Sequence, residues 1–267
     1  MSFSGGLVQR VSMSGGAWNE PLGTQTLKTH VDIIVLVIAN LSDLYTPMVN
    51  EYWKRMIDVC EESYSNMKIY LVFGADPGTN VLIPSSSLII SNTPESYIPG
   101  VLLKTIYAYG YINKKYKYKH VLRTNLSSFL HIENTISLQR TLPSEGFCGG
   151  ITSRYEDNAV HPFTFVSGAG IWTSPDVTEA IVKAERVLNY DLQDDVAIGA
   201  FLQYKIHMKS LPRLDSPYWG NEDIDYVLNA LASDISSSKH YHVRCKHADR
   251  SRDLELLISL MNRFNNH

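Results

Sequence analysis

The sequence predicts an α/β fold, a mostly parallel central sheet flanked by helices. Three observations carry this expectation. "VDIIVLVIAN" (31–40) is a nearly continuous, largely β-branched apolar run, the mark of a strand covered on both faces. Strand-like and helix-like stretches then alternate, which implies parallel strands joined by helices. The strand-like stretches also end in polar or glycine-rich segments, at the sheet edge where α/β proteins bind ligands.

Residues 1–28 carry Gly5-Gly6, Gly15-Gly16 and Pro21-Leu22-Gly23 with little periodicity. They read as an irregular arm, with Trp18 able to dock on the body. After the first strand, Val49, Trp53, Met56, Ile57 and Cys60 recur at helical spacing. "MKIYLVFGAD" is a second strand that runs into turn chemistry at Gly74-Ala75-Asp76-Pro77-Gly78. "LIIS" is a short third strand, "GVLLKTIYAYGYI" a helix and "YKHVLRTNLSSF" the fourth strand. The second half is less regular. "FCGGITSRY" reads as a strand opening at a glycine pair. "TFVSGAGIWTSPDVTEAIVKAERVL" reads as a strand, a small-residue turn and a helix, with Ser174 as N-cap and Pro175 at its first position. "DLQDDVAIGAFLQYKI" is a further helix, and "HYHVRCKHADRSRDLELLISLMNRF" is a short strand or loop followed by an amphipathic helix.

Bulk properties narrow the function. A net charge of −3 and a pI near 6.3 disfavour a nucleic-acid partner, which normally meets a basic excess. Cys60, Cys148 and Cys245 are odd in number and far apart, which fits neither a disulfide framework nor a CxxC metal site. No basic-then-apolar leader opens the sequence, and no apolar run could cross a bilayer. A soluble, cytoplasmic protein is expected.

Four constellations could carry chemistry. Asp194-Asp195 opens an apolar helix face; such acids complement the helix dipole, and one could equally serve as a general base kept ionised there. Ser167-Gly168-Ala169-Gly170 suggests a close approach to the backbone, by a ligand or within a plain tight turn. His242, Arg244 and Lys246 alternate, so a strand would put all three on one face, suited to a phosphate or simply solvated. "KKYKYKH" (114–120) interleaves basic and aromatic residues, but between a helix and a strand it reads as a solvated connection.

The order of these signals resembles one family. "PESYIPGVLLKTIYAY" resembles the "DSYxNLTLKT" segment of the β-1,3-galactosyltransferase and Fringe-like glycosyltransferases. "RTNLSSFL" then lies over that family's "KTDDDxFV" strand, with Arg123 on its Lys and Thr124 on its Thr. "HPFTFVSGAGIWTS" lies over "YPxYxSGxGYxxS", matching at Ser167, Gly168, Gly170 and Ser174, and "DDVAIG" lies over "(E/D)DVYxG". These landmarks cover about residues 95–200.

The resemblance implies a GT-A fold over residues 29–267, with a Rossmann-like nucleotide-sugar half (29–130) and an acceptor half (131–267). It implies inverting transfer of a sugar from a nucleotide-sugar, most often a UDP-sugar, to a glycan or glycoconjugate hydroxyl. Asp195 would be the general base and Asp194 a contact to donor or acceptor hydroxyls. Ser167, Gly168, Ala169, Gly170 and Trp172 would line the place where the sugars meet. Asn40 and Asp76 stand at strand ends as base and ribose contacts, and Lys104 in the matched "LLKT" joins the donor side.

One departure matters. The family's metal-binding acids fall on Asn125, Leu126 and Ser127. Mn²⁺ and Mg²⁺ need hard, charged oxygens, which an amide, an aliphatic chain and a hydroxyl do not supply. Either ion would then be held elsewhere or replaced. The expected replacement is the basic set His242, Arg244 and Lys246, helped by Arg123, neutralising the diphosphate leaving group. Two other readings stay open: a catalytically silent nucleotide- or sugar-binding protein on the same fold, and a nucleotide-sugar hydrolase or pyrophosphorylase.

Overall fold

A computed structural model describes residues 28–40, 42–157, 160–215, 224–238, 240–247 and 249–265. The predicted arm, with Trp18, lies outside the described residues except at Lys28. Strand β1 (Thr29–Ile38) is followed by a wide π-helical turn (Met48–Trp53) that runs into α1 (Lys54–Ser63). Then come β2 (Met67–Phe73), β3 (Leu88–Ile90), α2 (Gly100–Lys115) and β4 (Tyr116–Asn125). These four strands lie in the order 3-2-1-4, all parallel.

β1 shows why the order holds. Ile33, Val35 and Val37 point into one core with Met56 of α1, while Ile34, Leu36 and Ile38 point into another with Ile106 and Tyr109 of α2. The unbroken apolar run thus serves two layers at once, because successive strand residues face opposite sides.

The chain departs from the expected fourth strand at its polar end. β4 stops at Asn125, turns over Leu126-Ser127, and resumes as β5 (Ser128–Leu130) in a second sheet. α3 (Ile132–Gln139) follows, then β6 (Cys148–Gly150), which ends at the glycine pair rather than starting there. β7 (Thr152–Asp157) and β8 (Val160–Val166) form a separate antiparallel hairpin. β9 (Gly170–Thr173) returns to the central sheet antiparallel to β4 and leads to α4 (Pro175–Lys183) and α5 (Asp194–Leu202). The stretch 164–173, predicted as one strand and a turn, therefore belongs to two strands in two sheets.

β10 (Lys209–Ser210) closes the far side of the central sheet beside β6. The second sheet has the order β11 (Leu214–Asp215), β12 (His242–Arg244), β5. α6 (Ile224–Ser238), which was not predicted, and α7 (Arg250–Phe264) pack with α1 over the first core through Leu231, Ile235, Leu256 and Leu260. No described helix is long and apolar enough to cross a membrane.

Candidate active site

β1 connects onward to β2 on one side, while its other neighbour is β4. The strand order therefore reverses between β1 and β4, and their carboxyl ends form the crevice where open α/β sheets take ligands. Ile38 and Asn125 stand opposite each other at that edge. Exposed Asn40 follows β1, and exposed Asp76 follows β2, where its Oδ1 caps the Gly78 N–H at 2.9 Å.

Arg123 and Thr124 are the last buried residues of β4. Because β9 runs antiparallel to β4, Thr124 faces Gly170, and Thr124 Oγ1 donates to the Ala169 carbonyl at 2.6 Å. The Arg123 guanidinium reaches the Gly168 carbonyl and pairs with Asp194 Oδ2 at 2.5 Å, both side chains being buried. Burial pushes the Asp194 carboxyl above its usual range, and the Arg123 charge opposes that rise. Asp195, the next residue, keeps some exposure. Its Oδ2 accepts the Gly168 N–H at 2.7 Å and its Oδ1 accepts the Val196 N–H at 2.9 Å. The two acids thus sit in different surroundings: Asp194 is buried against a guanidinium, whereas Asp195 is partly exposed and accepts two backbone N–H groups.

The close approach that the Ser167–Gly170 stretch implied is made by these side chains. A Cβ on Gly168 would sit 2.7 Å from Arg123 Nη1, and one on Gly170 would sit 2.7 Å from the His242 ring. Real Cβ atoms do not come so near, so glycine is what lets β4, α5 and β12 converge here.

The basic set arrives from the other side. β12 pairs antiparallel with β5, which places Arg244 opposite Ser128, and the Cys245 N–H donates to the Ser127 carbonyl at 2.8 Å. Arg244 therefore borders the turn that replaces the expected acids. His242 is fully buried, and neither of its ring nitrogens has a hydrogen-bond partner among the described residues. Burial above all, then the charges of Arg213 and Arg244, hold its pKa well below the ordinary histidine value. Lys246 lies past the end of β12 and is exposed, so the three do not share one strand face.

The turn itself does not fit a hard divalent cation. Asn125 Oδ1 accepts from Ser128 Oγ at 3.0 Å and from Ser127 Oγ at 3.3 Å, the Leu126 side chain is buried, and the Leu126 carbonyl takes the Trp53 indole N–H at 2.9 Å. Among the described residues, no three His, Cys, Asp or Glu side chains stand where they could hold a metal ion.

Two predicted residues are buried inside the fold. Trp172 is fully buried between His120 and Tyr241. Lys104 is 2% exposed; its ammonium donates to the Ala39 carbonyl and to Glu95 Oε2, each at 2.7 Å.

Three residues that sequence reasoning passed over join the site. Arg213 donates to Ser167 Oγ at 3.2 Å. Glu95 accepts the Gly74 N–H at 2.5 Å as well as the Lys104 ammonium, which ties the loop before α2 to the ends of β1 and β2. Tyr97, on that loop, is 64% exposed; partial burial, then Asp195 and Asp194, raise its phenol pKa. Only the "PESY" match pointed at Glu95 and Tyr97, and nothing in the sequence pointed at Arg213.

No family model matches the chain, and no curated protein matches it. Among solved structures it is similar to a glycosyltransferase involved in the glycosylation of the major capsid of PBCV-1, with 8% identity over 85% of this chain and 98% of that one, and a TM-score of 0.48. It is also similar to the apo structure of the bifunctional glycosyltransferase WbbM, with 10% identity over 93% of this chain and a TM-score of 0.45; the match spans 53% of that chain.

Proposed function

We propose that the protein is a glycosyltransferase that moves a sugar with inversion from a nucleotide-sugar, a UDP-sugar by resemblance, to a hydroxyl of a glycan or glycoconjugate. The observation that carries the reading is the placement of Asp195: its carboxylate is fixed by the Gly168 N–H beside the crevice where the strand order reverses. The acceptor hydroxyl would give its proton to Asp195 as its oxygen attacks the anomeric carbon. The bond from that carbon to the phosphate oxygen would break on the opposite face, and the nucleoside diphosphate would leave with the electron pair. Arg244, with Arg213 acting on the same His242, is the candidate to hold that charge. Neutral, buried His242 would contribute a hydrogen bond rather than a charge. Arg123, paired with Asp194 and bonded to the Gly168 carbonyl, would fix the two acids in place instead of meeting the phosphates.

The test is paired. Asp195→Asn should cut sugar transfer by roughly 10²–10⁴-fold while a nucleotide-sugar still raises the melting temperature. Wild-type turnover should persist in EDTA. Activity that vanishes with EDTA and returns with Mn²⁺ would overturn the metal-free leaving-group site. The second reading, a silent nucleotide or sugar binder, draws on the self-satisfied hydrogen bonds of Asn125, Ser127 and Ser128. Nucleotide binding without turnover of any donor would favour it.

A further inference from the structure

We propose that the protein docks on an anionic membrane surface through the amino-terminal edge of its central sheet, a site independent of the sugar-transfer reading. The "KKYKYK" stretch (114–119) closes α2 and opens β4, and the fold brings Lys28 and His30 beside it. Exposed Lys28 donates to the Asn113 carbonyl at 2.6 Å. Parallel pairing of β1 with β4 sets exposed His30 next to exposed Lys117. Exposed Lys115 lies over the rings of Tyr111, Tyr116 and Tyr70, at 5.3, 5.5 and 6.0 Å from their centres, and donates to the Tyr111 hydroxyl at 3.0 Å. Exposed Lys114 precedes it. The nearby acids are engaged: Asp32 pairs with Lys119 at 2.9 Å, and Glu179 pairs with Lys183 at 2.6 Å. Positive charge is thus concentrated at one edge of a chain whose net charge is −3.

The make-up of this edge fixes the partner. Its cations are lysines, compact point charges that suit the diffuse field of many headgroups. Arginine, whose planar fork suits bidentate recognition of single phosphates, is absent from 28–30 and 114–119. A nucleic acid would need open aromatic faces on which to stack its bases. Here Tyr70 and Tyr116 are buried with their hydroxyls bonded to each other, Tyr111 lies under Lys115, and the Tyr118 hydroxyl bonds to Thr178 Oγ1 at 2.5 Å. None of the large exposed apolar side chains among the described residues belongs to this edge, so it would lie on the headgroups without entering the acyl region. The stretch that leads into Lys28 does not supply the anion: residues 1–27 hold one acid, Glu20, and one base, Arg10. Docking by this edge leaves the crevice open to solvent, because the 10 residues of β1 run from the lysines to the carboxyl edge, a span of about 33 Å.

Co-sedimentation of the full chain with phospholipid vesicles tests the docking. The chain should sediment with vesicles of phosphatidylcholine mixed with phosphatidylglycerol and not with phosphatidylcholine alone, and added salt should release it. Lys28→Gln, Lys114→Gln and Lys117→Gln combined should weaken the binding about 100-fold, each lysine contributing roughly fivefold. The same three positions changed to Arg keep their charge and should bind like the wild type. Lys54→Gln, Lys205→Gln and Lys209→Gln combined remove equal charge from α1, from the segment after α5 and from β10, and should retain most of the binding. The proposal is overturned if the anionic vesicles do not bring the chain down, if high salt leaves the binding in place, or if the first Gln triple binds no worse than the second. A single-stranded RNA that binds through these lysines while the anionic vesicles do not would overturn it too. Sedimentation needs no turnover, so a failure here leaves the sugar-transfer reading standing.

Discussion

Arg123 and His242 show how single side chains shape the site from within. Arg123 was expected on the donor side because it aligns with a lysine of the resembling motif. Its partner, Asp194, lies far away in sequence, and the folding of α5 against β8 and α2 brings it to the end of β4. No local pattern encodes such a pair. His242 was legible as basic by type, yet burial makes it neutral in the fold. The sign of its effect follows. The unfolded chain takes up a proton near pH 6.5, whereas the folded protein resists it, so the stability tied to neutral His242 is present above that pH. It is lost as pH falls through about 6.5 toward the depressed folded value. His120, also lowered by burial, acts in the same direction. Urea unfolding should therefore show stability falling between pH 7.5 and 5.5, at up to about 1.4 kcal/mol per pH unit for each proton taken up. His242→Gln should make that slope shallower by up to one proton; an unchanged slope would show that His242 is not the residue responsible.

At the scale of elements, the helix that presents the acids depends on a glycine in its own middle. A Cβ on Gly199 would sit 2.3 Å from Phe165 Cβ, so α5 can lie against β8 only with glycine there. In an exposed helix, Gly→Ala would stabilise by up to about 1 kcal/mol. Here Gly199→Ala should instead destabilise by roughly 1–3 kcal/mol, and it should lower turnover by shifting Asp195 away from Gly168. A melting temperature that rises would refute the close packing. The elements most legible in the sequence were those with an unbroken apolar run or a helical spacing, namely β1, β2 and α1. What stayed hidden were the breaks. The turn after Asn125 reads through as strand in the sequence, and β9, after the turn legible at Ser167–Gly170, does not read as a strand. Whether such a stretch forms strand or turn is decided by partners such as β12, distant along the chain.

Across the whole molecule, a buried cation joins the ends of β1 and β2 to the loop before α2. Lys104 reaches from α2 to the end of β1 and to Glu95, which holds the end of β2 through Gly74. The loop so clasped carries Tyr97 near Asp195 and Asp194. Lys104→Met keeps the stem but removes the charged donor, so it should cost roughly 2–3 kcal/mol and speed hydrogen exchange at the Gly74 amide. Unchanged exchange there would remove Lys104 from this role. The second sheet carries a consequence for how the protein comes into being. All seven strands of the central sheet lie before Leu211 in the chain, but β5 waits for β12, which emerges later from the ribosome. Until then the edge of β5 that β12 will cover is bare, a template for mispairing between nascent chains. The segment that brings Arg244 to Ser128 is also the one that covers this edge. A newly made chain therefore loses its main hazard and gains its last site residue in a single docking event.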